Sequence, residues 1–333
     1  MVKLKDIAQA TGLTVSTVSK ALSRSDEISE ATTRRVLDAA HGMGYQPRRA
    51  ANRDVKTIGV ILPEVRSHYY AELMHALTHE IESHGYAMIT MLTPDFSAKV
   101  GPYIERLCQY DPDGLILNCY HELPEETFRT VLDTGVPSLL LTEVTPSCPL
   151  DSICIKTEFS VRLAVEYLLQ LGHREIGYLG EYNSDVRYHA FLDLMKQNEI
   201  DVNPRFVKRT STRFEQGGYE AACELLREPQ LPTAVLTSYD QIAFGAMRAF
   251  RERGVRIPED LSIVGFDNIV MDEYYPVPLT SVTNPVEQMG ITAVKILLGA
   301  IRNPAAHVVQ NVSLQSRLVI RKSACPPGGG SRN

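Results

Sequence analysis

In the first forty residues apolar positions fall three and four apart. Leu4, Ile7 and Ala8 make one face of a short helix. Thr11-Gly12 stops it, because glycine takes the left-handed turn easily. Thr14 is placed to cap a second helix from Val15 to Leu22. Val18, Ala21 and Leu22 share its inner face, leaving Val15, Ser16, Thr17, Ser19 and Lys20 outside. A third helix runs from an N-cap at Ser29 to Gly42. Two helices joined by a tight turn with a third as brace predict a helix-turn-helix. The outward side chains are short and carry donors, acceptors and methyl groups, which suits approach to base edges in a major groove. A plain three-helix bundle with a polar face fits the same pattern.

From Thr57 the period changes. Short apolar strands such as TIGVIL, YAMITML, LILN and VPSLLLT alternate with amphipathic helices. YYAELMHALTHEIESHG is the first helix, stopped at Gly85; others lie around Tyr103–Tyr110 and from Pro124 to Thr134. DSICIK, EIGYLG, TAVLTS and LSIVGFD continue the strands, with helices at FSVRLAVEYLLQLGH, VRYHAFLDLMKQN, GGYEAACELLREP and DQIAFGAMRAFRERG. This order predicts parallel sheets with helices on both faces. Two such lobes place a ligand cleft beyond the carboxyl ends of their strands.

Charge sharpens the division. The 333-residue chain has net charge −6, yet residues 1–56 carry ten Lys/Arg against six Asp/Glu, a basic head on an acidic body. No apolar run is long enough for a membrane span, and Lys3, Lys5 and Asp6 interrupt any leader, so a cytoplasmic location is expected. Six scattered cysteines without a C-x-x-C pair give no zinc or disulfide framework. His75 and His79 have metal-ligand spacing on one helix but no third ligand, so they read as a surface or dimer-interface pair and no metal is expected. No phosphate loop, nucleophile elbow or H-E-x-x-H occurs, so neither catalytic residues nor a cofactor are expected and the chain is read as no enzyme.

LKDIAQATGLTVSTVSKAL, followed by ISEATTRRVLDAAHGMGYQP, resembles the headpiece of the lactose-repressor (LacI/GalR) family of transcriptional regulators. PTAVLTSYDQIAFGAMRAFRERGVRIPEDLSIVGFDN, LGHREIGYLG and PLTSVTNPVEQMG resemble that family's sensor body. The resemblance implies a small all-α helix-turn-helix headpiece plus a two-lobed α/β periplasmic-binding-protein-like domain. The expected layout is a headpiece over 1–46, a linker over 47–56 and a sensing and dimerisation domain over 57–323. Its N-lobe takes 57–156 and 284–314, its C-lobe 157–283 and 315–323. The Pro- and Gly-rich tail, 324–333, is expected to be disordered.

The resemblance also implies roles. Val15 and Ser16 would select bases of double-stranded DNA; Lys5, Thr14, Thr17, Ser19 and Lys20 would hold bases or phosphates, with Arg48 and Arg49 in the linker. The DNA site would be an inverted-repeat operator read by a homodimer. The apolar stripe Leu73, Met74, Leu77, Ile81 is expected between N-lobes of that dimer. A small-molecule effector, a sugar or sugar derivative, would bind at Ser67, Tyr69, Tyr70, Asn118, Arg187, Phe214, Tyr239 and Asp267 and shift operator affinity.

Two departures stand out from the family pattern. The linker RRAANRDVK lacks the leucine that wedges into the minor groove, so weaker bending and steep salt dependence are expected. The family's Asn-Asp pair reads Tyr239-Asp240, which narrows the pocket or adds a stacking plate. Asp240 is expected to cap the helix that follows it. Thr142 stands where relatives often keep an acid, with Glu143 beside it.

Overall fold

The computed structural model describes residues 4–22, 28–43, 55–93, 99–119, 124–143, 149–182 and 185–328. Three helices come first: α1 (Leu4–Thr11), α2 (Val15–Leu22) and α3 (Glu30–Gly42). Gly12 has φ +65°, the left-handed turn that ends α1. The Thr17 N–H donates to Thr14 Oγ1 at 3.1 Å and the Thr32 N–H to Ser29 Oγ at 3.4 Å, so both expected caps form. Ile7, Ala8, Val18, Ala21, Val36 and Ala40 make the small core, with Leu13, Leu22 and Ile28 packed against it. Arg35 donates to the Thr11 carbonyl at 2.9 Å, tying α3 to the turn.

The first lobe contains β1 (Lys56–Leu62), α4 (His68–Ser83), β2 (Tyr86–Leu92), α5 (Gly101–Cys108), β3 (Gly114–Cys119), α6 (Glu125–Thr134), β4 (Ser138–Thr142) and β5 (Asp151–Ile155). The second holds α7 (Thr157–Gln170), β6 (Ile176–Glu181), α8 (Asp185–Gln197), β7 (Val207–Thr210), α9 (Phe214–Leu225), β8 (Ala234–Thr237), α10 (Asp240–Glu252), β9 (Ser262–Asp267), α11 (Met271–Tyr274) and β10 (Thr280–Thr283). The chain then returns through α12 (Val286–Arg302) and β11 (Asn311–Leu314) to the first sheet, and through β12 (Arg317–Val319) to the second. The sheet orders are β11-β5-β4-β3-β1-β2 and β12-β10-β9-β8-β6-β7. All pairings are parallel except β10–β12, which runs antiparallel and departs from the purely parallel expectation. A chain that has just crossed between lobes enters the second sheet there as an edge strand, where antiparallel pairing needs no crossover helix.

The central strands are buried on both faces, which is why β1 and β4 read as near-continuous apolar runs. Helix α4 corrects one expectation. Leu73, Leu77 and Ile81 are fully buried inside the first lobe, in one core with Val286, Met289 and Ala293 of α12. A Cβ at Gly290 would meet the Ala76 Cβ at 2.8 Å, so glycine lets these two helices approach closely. The stripe expected between subunits is therefore spent within the lobe, with Met74 half-buried beside it. His75 and His79 are exposed on the opposite face, and no group of metal-holding side chains occurs among the described residues.

The tail expectation also needs correction over its first half. Composition favours disorder, but residues 324–328 lie along the second lobe. The Cys325 N–H donates to Ser262 Oγ at 3.0 Å, and Ser262 Oγ and His173 Nε2 reach the Cys325 carbonyl at 3.1 and 2.9 Å. Backbone hydrogen bonds to fixed partners outweigh the weak local propensity of this stretch. Residues 329–333 lie outside the described residues, as do the linker positions Arg48, Arg49, Ala50, Ala51, Arg53 and Asp54. No described helix is long and apolar enough to cross a membrane.

Candidate functional site

The headpiece presents a polar helix face built by its own packing. Val18 and Ala21 have no exposed surface, so α2 turns its other side outward. Val15 is 47% exposed, Ser16 and Lys20 are exposed, and Thr17 is half-buried because its hydroxyl meets that of Thr14 at 2.9 Å. Lys5 on α1 is exposed as well. The side chain of Ser19 lies outside the described residues. An exposed valine beside short hydroxyls suits a base-reading surface, since it brings apolar and hydrogen-bonding contact at small entropic cost.

Between the lobes the structure assembles an ion cluster. Arg187, early on α8, is 9% exposed. Its guanidinium lies 3.5 Å from Asp267 Oδ1 and 4.0 Å from Glu143 Oε1, donates to the Ser238 carbonyl, and sits 5.2 Å from the Phe266 ring. Glu143 follows β4 in the first lobe, whereas Arg187 and Asp267 belong to the second, so the cluster spans the cleft. Asn284, at a crossing between lobes, donates to Asp267 Oδ1 at 2.7 Å. Burial raises the Glu143 and Asp267 carboxyls above the ordinary range while Arg187 pulls both down. Burial and the two nearby carboxylates push the Tyr69 phenol up. Among the described residues, a small space of about 10 Å³ lies between Tyr69, Glu143, Arg187 and Asn284.

A second contact joins the lobes farther along. Arg213 lies 3.4 Å from Glu64 of the first lobe and 3.3 Å from Glu181 of the second. Phe214 follows at φ +62°, a left-handed conformation that a bulky side chain rarely adopts. Tyr239 holds it: the Phe214 N–H donates to the Tyr239 hydroxyl at 3.0 Å, and the two rings meet edge-on at 6.3 Å. The Arg66 and Arg213 guanidiniums lie 5.3 and 4.4 Å from the Phe214 ring. Tyr239 thus fills this part of the cleft from the C-lobe side, and burial beside Glu181 raises its phenol. Strain at a cleft residue, held by two neighbours, marks a position worth testing for function.

The structure separates the eight effector candidates. Arg187, Asp267 and Tyr69 meet in the ion cluster. Phe214 and Tyr239 form the second contact. Tyr70 is a core residue, 3% exposed, whose hydroxyl donates to Asn118 Oδ1 at 3.0 Å. Ser67 caps α4 by accepting from the Tyr70 N–H. Sequence reasoning missed Glu64, Glu181, Arg213 and Asn284 and left Glu143 open. Each stands near the end of an element, and nothing local distinguishes it from a solvated polar residue.

Asp240 does not cap α10. Tyr239 holds the N-cap position, and Asp240 is wholly buried one residue inside the helix. Ser281 Oγ donates to its Oδ1 at 2.7 Å and the Ile269 N–H to its Oδ2 at 3.1 Å. A Cβ at Gly265 would stand 2.1 Å from that Oδ1, so the strand beside it needs glycine. The carboxylate turns into the interior because these donors, and not the helix N–H groups, face it. Asp272, also with no exposed surface, lies against it and reaches Arg321 at 3.6 Å.

A helix-turn-helix headpiece ahead of a two-lobed α/β body with charged groups across its cleft defines the class of a DNA-binding regulator with a sensor domain. Comparison agrees. The profile for bacterial regulatory proteins of the lacI family matches residues 3–48, and that of the periplasmic binding protein-like domain matches residues 165–324. The HTH-type transcriptional repressor PurR of Haemophilus influenzae (strain PittEE) is 30% identical over 97% of this chain and 98% of its own length. Its counterpart in Pasteurella multocida (strain Pm70) is 29% identical with the same coverage. A lac repressor dimer bound to operator and the anti-inducer ONPF superposes with TM-score 0.72 at 27% identity, over 97% of this chain and 99% of that one. A LacI family regulator from Enterococcus faecium with bound ribose gives TM-score 0.70 at 27% identity, over 81% of this chain and 99% of that one. The chain belongs to the lacI family of bacterial regulatory proteins and is a DNA-binding transcriptional regulator, not an enzyme.

Proposed function

We propose that the protein is a homodimeric cytoplasmic repressor of an inverted-repeat operator, released or engaged by a small molecule bound between its lobes. Val15 and Ser16 select bases. Lys5, Thr14, Thr17, Ser19 and Lys20 hold bases or phosphates, and Arg48 and Arg49 add charge from the linker. One helix of this size reads only a few base pairs, so two copies on inverted half-sites supply the affinity. The lac repressor dimer on its operator supports this arrangement for a relative of similar length.

The observation that carries the sensor reading is the Glu143–Arg187–Asp267 cluster. It joins groups from both lobes through charge-assisted contacts at 3.5–4.0 Å. A ligand bearing several hydroxyls replaces such contacts one for one, accepting from Arg187 and donating to the two carboxylates. That chemistry favours a carbohydrate or a derivative, and the ribose-bound relative adds weight. A ligand with different affinity for two lobe angles shifts their populations and, through the linkers, operator affinity. Replacing Arg187 by alanine in the full-length dimer should abolish the effector's shift of operator affinity, read by fluorescence anisotropy, and leave effector-free DNA binding within about twofold. Equal loss of both in a folded variant contradicts the assignment.

A further inference from the structure

Outside the inner cluster, a larger space lies between the lobes. This outer cleft measures about 840 Å³, within the roughly 300–1,000 Å³ of small-molecule pockets. Arg66 and the start of α4 line one wall; Glu215, Gln241, Phe244, Met271 and Tyr275 line the other. Neither Arg187, Asp267 nor Tyr69 borders it, and of the eight effector candidates only Ser67 does.

Part of the second-lobe wall is an aromatic plate held in place. The Phe244 and Tyr275 rings stack with centroids 4.5 Å apart, and the Tyr275 hydroxyl donates to the Phe244 carbonyl at 3.1 Å. Met271 beside them is 53% exposed. Other polar groups at the rim are already engaged: His68 is hydrogen-bonded to Glu72 at 2.9 Å and Arg248 pairs with Glu252 at 2.9 Å. Glu64, whose carboxylate takes the Arg66 and Ser67 N–H groups, is answered by Arg213. Two charges remain. Arg66, on the first lobe, is exposed and has no ion pair among the described residues. Glu215, on the second lobe, is exposed, takes only a neutral amide hydrogen bond from Gln241 at 3.2 Å and likewise has no ion pair there.

We propose that the outer cleft is a second ligand compartment and that it takes an aromatic zwitterion, of the chemistry of an aromatic α-amino acid. The carboxylate goes to Arg66, the ammonium to Glu215, and the ring lies against Phe244, Tyr275 and Met271. An anion or a cation alone engages one lobe; a zwitterion engages both, so it alone favours one lobe angle through charge.

The test is calorimetric titration of the full chain, without DNA, with L-phenylalanine, L-tyrosine and L-tryptophan. The tightest of these is then compared with its analogue lacking the amine, its analogue lacking the carboxylate, and glycine, which lacks the ring. The amino acid should bind at least tenfold more tightly than each of the three. Arg66→Ala and Glu215→Gln should each weaken it at least tenfold. Both residues are exposed, so both variants should keep the wild-type circular dichroism. Arg187→Ala, which removes a tie between the lobes but no contact to this ligand, should weaken it less than Arg66→Ala or Glu215→Gln does. No binding by any of the three amino acids overturns the proposal, as does equal binding by the amine-free or carboxylate-free analogue. A loss in Arg187→Ala as large as in Arg66→Ala assigns the ligand to the inner cluster and also overturns it. Since no DNA is present, the outcome does not depend on operator recognition by the headpiece.

Discussion

The two lobes share one architecture and differ in what they bury. The first lobe's interior is apolar, centred on Ile58, Val60, Leu73, Leu77, Ile116 and Leu139. One buried polar contact of this lobe is peripheral: His307 Nε2 lies 2.7 Å from Asp151, which also accepts the Gln310 N–H. The second lobe encloses Asp240 and Asp272 with no exposure, Glu181 at 4% and Arg187 at 9%. Buried carboxylates cost free energy unless they are paired or protonated. A lobe that carries such groups beside a cleft has a conformation sensitive to charge, while its neighbour serves as a rigid platform for it.

The largest effect should come from the platform. Leu77 is fully buried on α4, and Leu77→Ala should lower unfolding stability by roughly 2–5 kcal/mol in urea titration. The loss should be the same at every pH where the protein folds, because no charge is involved. A loss that varied with pH would break the contrast between the lobes.

Asp272→Asn tests the other side. Burial pushes the Asp272 carboxyl up to about 7, with Arg321 pulling it down and Asp267 pushing it up; its neighbour Asp240 is raised as well. The folded-state pKa is above the unfolded one, so folding favours the protonated acid. Wild-type stability from this group is intact below about pH 4 and is lost as pH rises through about 7, by an amount on the order of a few kcal/mol. Asparagine keeps the neutral shape and should flatten that decline, making the variant more stable than wild type at pH 8. Parallel pH profiles for the two proteins would contradict the raised Asp272 carboxyl.

Arg213→Ala should do least to stability. Arg213 and Glu64 are partly solvated, but Glu181 is only 4% exposed and loses its charge partner, so a loss on the order of 1–2 kcal/mol is expected. The variant instead loses a tie between lobes, and small-angle scattering should show a larger radius of gyration in the absence of ligand. An unchanged radius would mean that the remaining contacts alone hold the lobe angle.

Much of this was legible in the sequence, for reasons visible at single residues. The headpiece is local: Thr14, Ser29 and Gly12 mark its helix ends, and three- and four-residue spacing places Val18 and Ala21 inside. The alternation of strands and helices was equally plain. The site was half legible. Arg187 and Asp267 stand in recognisable stretches, whereas Glu64, Glu143, Glu181 and Arg213 come together only when the lobes face each other. Asp240 looked like a cap because capping is local, and its partners Ser281 and Ile269 are 41 and 29 residues away. The tail misled in the same way, since Ser262 and His173 hold Cys325 from distant segments. The spacing of Leu73, Leu77 and Ile81 shows an apolar stripe on α4, but periodicity does not say whether α12 or another subunit covers it.

The measurement that bears most directly on the regulator account is selection of bound sites from random duplex DNA by the full-length protein, followed by salt titration of the best site. The account predicts an inverted repeat with two half-sites. It also predicts that Val15 and Ser16 substitutions change the selected bases, and that affinity falls steeply with salt, as expected for a linker without a leucine wedge. Failure of the folded protein to enrich any sequence, or enrichment of a single half-site without symmetry, would contradict the claim that two headpieces read one operator.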